Sequence, residues 1–202
     1  MEKDQSVMKK IIEEDYMRRV KTFRALPIED KNVILGDSLV AYLNHRLYHL
    51  NDWVNMGIAG DTTVGVLNRL DAVIRLKPRK VILSIGSNNL VLTDLTIDES
   101  IDQILEIVST LQEFSDVYVL SITPVNSKTK LAKELYIAGR TNDDINQMNE
   151  KIKLKLKNHY IDIASALKDQ DGLLREELTT DGIHLNHEGY LIMIEKLSTI
   201  LF

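Results

Sequence analysis

From residue 32 to the end of the chain, short apolar runs alternate with stretches of helical periodicity, and this alternation restricts the fold more than any other feature of the sequence. The runs cover residues 32–35, 53–56, 80–85, 117–122 and 160–163, each bounded by turn residues, and predict five strands. Apolar spacing between and after them predicts helices over residues 39–50, 62–76, 101–114, 143–157 and 188–201. Val81-Ile82-Leu83 and Val117-Tyr118-Val119-Leu120 lack the in/out alternation of a half-exposed strand. That is the pattern of strands covered by helices on both faces of a parallel sheet. The fold class is therefore α/β, with a five-stranded parallel sheet as the middle of three α/β/α layers.

With 202 residues, 44% of them hydrophobic, and no linker-like stretch, the chain has the makings of one sizeable core. A net charge of −5 argues against a phosphate-binding surface, so nucleic acid is not expected as a partner. The absence of cysteine excludes disulfides and a thiol nucleophile. Residues 1–25 mix acidic and basic residues without a continuous apolar stretch. This predicts neither a signal peptide nor integral membrane association, and points to a cytoplasmic location. Val7, Ile11, Ile12, Tyr16, Val20 and Phe23 recur at helical spacing there, predicting an amphipathic helix packed on the remaining 26–202 domain.

In parallel sheets of this kind, ligands bind beyond the carboxyl ends of the strands. The polar clusters fall there: Ser38 after the first run, Gly57 to Asp61 after the second, Gly86-Ser87-Asn88-Asn89 after the third. Asp181-Gly182-Ile183-His184 lies near the other end of the chain. A serine hydroxyl needs a histidine to take its proton, a carboxylate to fix the imidazole tautomer, and donors for the developing oxyanion. Ser38 is the candidate nucleophile, His184 the general base then acid, and Asp181 its orienting carboxylate. The backbone N–H groups of Ser38 and Gly60 and the side chain of Asn88 are the candidate oxyanion donors. Each has a plainer reading: Ser38 as a cap of the helix starting at residue 39, Asp61 as part of a helix cap, Asn88 or Asn89 as a loop stabiliser, Asp37 as structural.

His184, His187 and Asp181 also admit a metal-site reading, since imidazole and carboxylate are ordinary zinc ligands, but no HExxH pattern accompanies them. His187 is expected instead in the first turn of the last helix, capped by Asn186. The polar connection 126–142 has the length of a substrate-binding loop or lid. Within it Tyr136 and Arg140 are candidate substrate contacts, the alternatives being a surface tyrosine and an arginine paired with Asp143 or Asp144.

Four blocks in order, Gly36-Asp37-Ser38-Leu39, Gly57-Ile58-Ala59-Gly60-Asp61, Gly86-Ser87-Asn88-Asn89 and Asp181-Gly182-Ile183-His184, resemble the SGNH hydrolases, also called GDSL lipases/esterases. The resemblance spans about residues 30 to 200. It implies a flavodoxin-like sheet, a metal-free serine mechanism without a cofactor, and an oxyanion hole from Ser38, Gly60 and Asn88. Asn89 stands where the family commonly has aspartate, which removes a carboxylate beside the oxyanion hole. The function these readings imply is hydrolysis of acetyl or other short acyl esters, a small-molecule acyl ester being the substrate. The alternative is a non-catalytic carbohydrate- or lipid-binding domain on the same fold. Neither acyl chain length nor oligomeric state is legible.

Overall fold

The structure is a computed structural model that describes residues 2–28 and 31–202; within the first helix, side chains are described for residues 10, 11 and 13–24. Strands β1 (Asn32–Gly36), β2 (Trp53–Gly57), β3 (Lys80–Ser84), β4 (Asp116–Leu120) and β5 (Tyr160–Ile161) form one sheet in the order β2-β1-β3-β4-β5. All four pairings are parallel. This is the flavodoxin-like order, which reverses direction between β1 and β3 and so opens a crevice at their carboxyl ends. The helices are α1 (Glu2–Arg24), α2 (Ser38–Ala41), α3 (Thr63–Leu67), α4 (Leu70–Leu76), α5 (Asn89–Leu92), α6 (Ile97–Gln112), α7 (Glu134–Ile137), α8 (Asn142–Leu156), α9 (Ala164–Leu167) and α10 (His187–Leu201).

Successive strand residues point to opposite faces, and each face has its own core. Val33, Leu35, Val81, Leu83, Val117 and Val119 pack with α1, α3, α4, α6 and α8. Ile34, Ile82 and Leu120 pack on the other face with α2, α9 and α10. Both faces are therefore dry, which explains why the central strands read as unbroken apolar runs.

The predicted strands and longer helices are present, with differences at their ends that have local causes. The helix expected over residues 39–50 stops at Ala41. Asn55 on β2 donates through Nδ2 to Val40 O at 2.6 Å and Leu43 O at 3.0 Å, capturing carbonyls that a continuing helix would need. His45 and His49 are consequently in turns rather than on one helix face. The segment 62–76 divides into α3 and α4 at Arg69, whose side chain is drawn inward. β5 ends at Ile161 because Ser121 Oγ accepts the N–H groups of Ile163 and Ala164, at 2.9 and 2.8 Å.

In α1, Val20 and Phe23 are buried against the first core, and Tyr16 donates its hydroxyl to Gly65 O at 2.8 Å. Ile11 is exposed. The side chains of Val7 and Ile12, assigned to the apolar stripe from sequence, lie outside the described residues. Among the described residues no helix is long and apolar enough to cross a membrane.

Candidate active site

The turn after β1 settles which residue caps α2. Asp37 is the N-cap, its Oδ1 accepting the Leu39 N–H at 3.0 Å. With the cap supplied by its neighbour, Ser38 holds its Oγ 3.1 Å from His184 Nε2. On the other side of the ring, His184 Nδ1 lies 2.7 Å from Asp181 Oδ2. Burial pushes the Asp181 carboxyl up, but the His184 ring and the backbone N–H groups of His184 and Ile183 outweigh it, and the net direction is down. An ionised carboxylate only accepts, so Nδ1 carries the proton and Nε2 turns its lone pair to Ser38.

The 179–184 turn is built to hold this pair. Thr179 Oγ1 accepts the Gly182 N–H at 2.9 Å and donates to His184 O at 2.8 Å. Gly182 has φ +90°, and a Cβ there would stand 2.6 Å from Asn126 O, so a side chain would break the seam between this turn and the 126–141 segment.

Ser38, Asn88 and His184 line one recess at the carboxyl end of the sheet, together with Asp37, Leu39, Ser84, Ile85, Ser87, Ile122, Thr123 and Ile183. Gly60 joins through its neighbour, since Asn88 Nδ2 donates to Asp61 O at 2.9 Å. Gly60 has φ +78°, a turn that favours glycine. Among the described residues, neither the Ser38 nor the Gly60 N–H has a hydrogen-bond acceptor in the protein. Asn89 is buried and replaces a carboxylate without an orphaned partner. Its Oδ1 accepts the Thr63 N–H at 3.1 Å, and its Nδ2 donates to Thr63 Oγ1 at 2.6 Å and Ser100 Oγ at 3.2 Å.

Two tyrosine rings flank the imidazole edge-on. Tyr136 has its centroid 5.2 Å from that of His184, and Tyr42 lies at 5.1 Å. Tyr42 was not singled out from sequence, although it stands one helical turn after Ser38, which is the signal that would have found it. Arg140 differs from its sequence-based placement as a substrate contact. It is buried, pairs with neither Asp143 nor Asp144, and directs its guanidinium to Ser87, Asn88 and the carbonyls at the end of α7. The 126–142 connection is correspondingly tied down, with Asn126 N–H bonded to Gly182 O at 2.8 Å and Lys133 N–H to Asp181 O at 3.0 Å.

His187 begins α10 and is capped by Asn186, whose Oδ1 accepts the Gly189 N–H at 3.1 Å; its own Nδ1 lies 3.0 Å from the Tyr48 hydroxyl. Among the described residues no group of three or more His, Cys, Asp or Glu gathers as a metal site would require.

Asp37 was expected to be structural, and its cap bond is that. Asp37 also lines the recess, and burial pushes its carboxyl up to about 7, assisted by Asp61 and opposed by the Leu39 N–H and Arg140. A carboxyl raised in the folded state binds more protons there than unfolded, so its contribution to stability is fully present below about pH 4 and is lost as pH rises through 7. At about 1.4 kcal/mol per pH unit the loss amounts to up to about 4 kcal/mol. Asp37→Asn, which keeps an oxygen for Leu39, should therefore be neutral near pH 4 and increasingly stabilising towards pH 8. Thermal melting of both proteins across that range measures it, and a pH-independent difference would refute the assignment.

The profile of the GDSL-like Lipase/Acylhydrolase family matches residues 33–192. The chain belongs to that family. Among curated relatives, the platelet-activating factor acetylhydrolase IB subunit alpha1 of Rattus norvegicus is 27% identical over 184 residues, covering 86% of this chain and 75% of the relative. Among solved structures, one from Streptococcus pneumonia described as a platelet activating factor superimposes with a TM-score of 0.88 at 24% identity, covering 100% of both chains. A GDSL-like lipase from Bacteroides thetaiotaomicron gives 0.79 at 19% identity over 93% of this chain and 97% of its own. These structural likenesses establish the three-layer fold that this family shares.

Proposed function

We propose that the protein is a serine ester hydrolase that cleaves acetyl or other short acyl esters through an acyl-serine at Ser38. The observation that carries this reading is the unbroken line from Ser38 Oγ through the His184 ring to Asp181, at 3.1 and 2.7 Å, facing a recess whose apolar wall is Leu39, Ile85, Ile122 and Ile183. His184 takes the Ser38 proton as Oγ attacks the ester carbonyl, and the carbonyl oxygen becomes an oxyanion. The Ser38 N–H, the Gly60 N–H and the Asn88 amide are assigned to receive that charge. Collapse breaks the bond to the leaving alcohol, which takes the proton from His184. A water deprotonated by His184 then attacks the acyl-serine, and Ser38 leaves with that proton.

Membership of an acylhydrolase family supports ester cleavage, and an acetylhydrolase among the relatives supports a short acyl group. The test is a hydrolysis profile over p-nitrophenyl esters of increasing chain length, with fluorophosphonate labelling of wild type and Ser38→Ala alongside. The expected result is labelling of wild type alone and turnover highest on acetate and falling with acyl length. Wild type that neither labels nor hydrolyses any ester would instead be a binding domain on this fold.

A further inference from the structure

We propose that Arg140 is a positioning residue for the oxyanion hole, acting through the Asn88 amide; this rests on the serine-hydrolase reading above. A donor is useful to an oxyanion only if it is aimed before charge develops. An asparagine amide has two orientations that differ by exchanging its oxygen and nitrogen, and its neighbours choose between them. Arg140 Nη2 donates to Asn88 Oδ1 at 2.6 Å, while Asn88 Nδ2 donates to Asp61 O at 2.9 Å. Turned over, the amide would set Nδ2 against a guanidinium N–H and Oδ1 against a carbonyl oxygen. Both bonds would become repulsions, so the observed orientation is locked from two sides. One N–H of Nδ2 is used on Asp61, and the other remains for the recess that Asn88 lines with Ser38 and His184. The charged donor on Oδ1 also polarises the amide and strengthens its N–H groups.

The rest of the guanidinium explains why arginine is suited here. Nε donates to Ser87 O at 3.0 Å and Ser87 Oγ at 3.2 Å, fixing the backbone just before Asn88. Nη1 donates to Ile137 O at 3.2 Å and to Tyr136 O, closing the end of α7. A single planar fork thus joins the segment carrying Tyr136, which flanks His184, to the residue that completes the hole. Arg140 and Asn88 are both buried, so the coupling works in a medium that screens it little. Arg140 acts behind Asn88 rather than on the substrate.

The test is a double-mutant cycle on p-nitrophenyl acetate with Arg140→Ala, Asn88→Ala and the pair. Asn88→Ala should lower kcat by about 10²- to 10³-fold, the usual cost of one oxyanion donor. Arg140→Ala should lower kcat by about 10- to 100-fold, part of that same loss, with KM changed less than about threefold. In the Asn88→Ala background, removing Arg140 should cost less than about threefold, because its target is gone. Arg140→Lys, which keeps the charge but not the fork, should recover part of kcat, and it replaces Arg140→Ala in the cycle if that variant does not fold. Effects that multiply, or a raised KM at unchanged kcat, would overturn the role of Arg140 while leaving the esterase reading intact. A wild type without turnover or fluorophosphonate labelling would overturn both.

Discussion

Replacing Ser38 with alanine should lower kcat on a short acyl ester by on the order of 10⁵-fold or more, leaving the fold and melting temperature nearly unchanged. The size follows from what the residue is assigned to do: without Oγ there is no acyl-enzyme, and only the oxyanion donors and binding remain, worth about 10³- to 10⁴-fold over water in enzymes of this kind. The fold should tolerate the change because the helix cap belongs to Asp37 and the Oγ contact is with His184. His184→Ala should cost nearly as much, and Ser38→Ala with His184→Ala little more than either alone, since each disables the same step. Asp181→Asn should cost up to about 10⁴-fold, because the neutral amide no longer imposes the tautomer that turns the Nε2 lone pair to Ser38. Steady-state kinetics on p-nitrophenyl acetate measure the series. Independent, multiplying losses at Ser38 and His184 would contradict a shared catalytic unit.

The sheet was legible because its strands are buried on both faces and its helices on one, so the period of the apolar residues reports each element directly. The members of the candidate site were legible, since Ser38, Asp181 and His184 follow strand or turn signals that local sequence carries, and the fold brings the three side chains together. What sequence hid are long-range side-chain bonds to backbone. Nothing near residue 42 announces that Asn55, thirteen residues on, will take the carbonyls of Val40 and Leu43 and stop the helix. Ser121, just beyond β4, likewise ends β5. For Ser38 the sequence offers a helix cap beside the nucleophile reading because serine caps helices, and only the turn geometry assigns that bond to Asp37. Arg140 reads from sequence as a substrate contact or a partner of Asp143 or Asp144, because charged residues are mostly exposed. Its burial depends on acceptors at Ser87, Asn88, Tyr136 and Ile137, which meet only in the folded chain.

Arg69→Met should destabilise the protein by about 3–5 kcal/mol, and the active site should lose more rate than the folded fraction alone explains. Arg69 is fully buried and donates to Met56 O at 2.9 Å, Gly36 O at 3.1 Å and Asp61 Oδ2 at 2.7 Å, with its guanidinium carbon 5.6 Å from the centre of the Phe23 ring. It therefore ties the ends of β1 and β2 to the loop that carries Gly60. Burial already pushes the Asp61 carboxyl up against the pull of Arg69. Methionine fills much of the space but leaves that carboxylate without its cation and takes one donor from each of the Met56 and Gly36 carbonyls, the latter keeping the Ile58 N–H at 3.0 Å; breaking such a buried pair is strongly destabilising. At about 2–4 °C per kcal/mol for a chain of this size, the melting temperature should fall by roughly 6–20 °C. The sign of the pH dependence identifies the cause. With its folded pKa raised further, Asp61 binds protons in the native state that it releases on unfolding, so the deficit should be smallest near pH 4 and grow as pH rises. Adding Asp61→Asn to Arg69→Met should remove that slope. The kinetic loss has a separate origin: Gly36 leads into Ser38, and Asp61 follows Gly60 and accepts from Asn88, so all three assigned oxyanion donors are positioned around this one guanidinium. A variant that melts within about 3 °C of wild type at every pH, or that keeps full kcat per folded molecule, would show that the oxyanion loops hold their places without it.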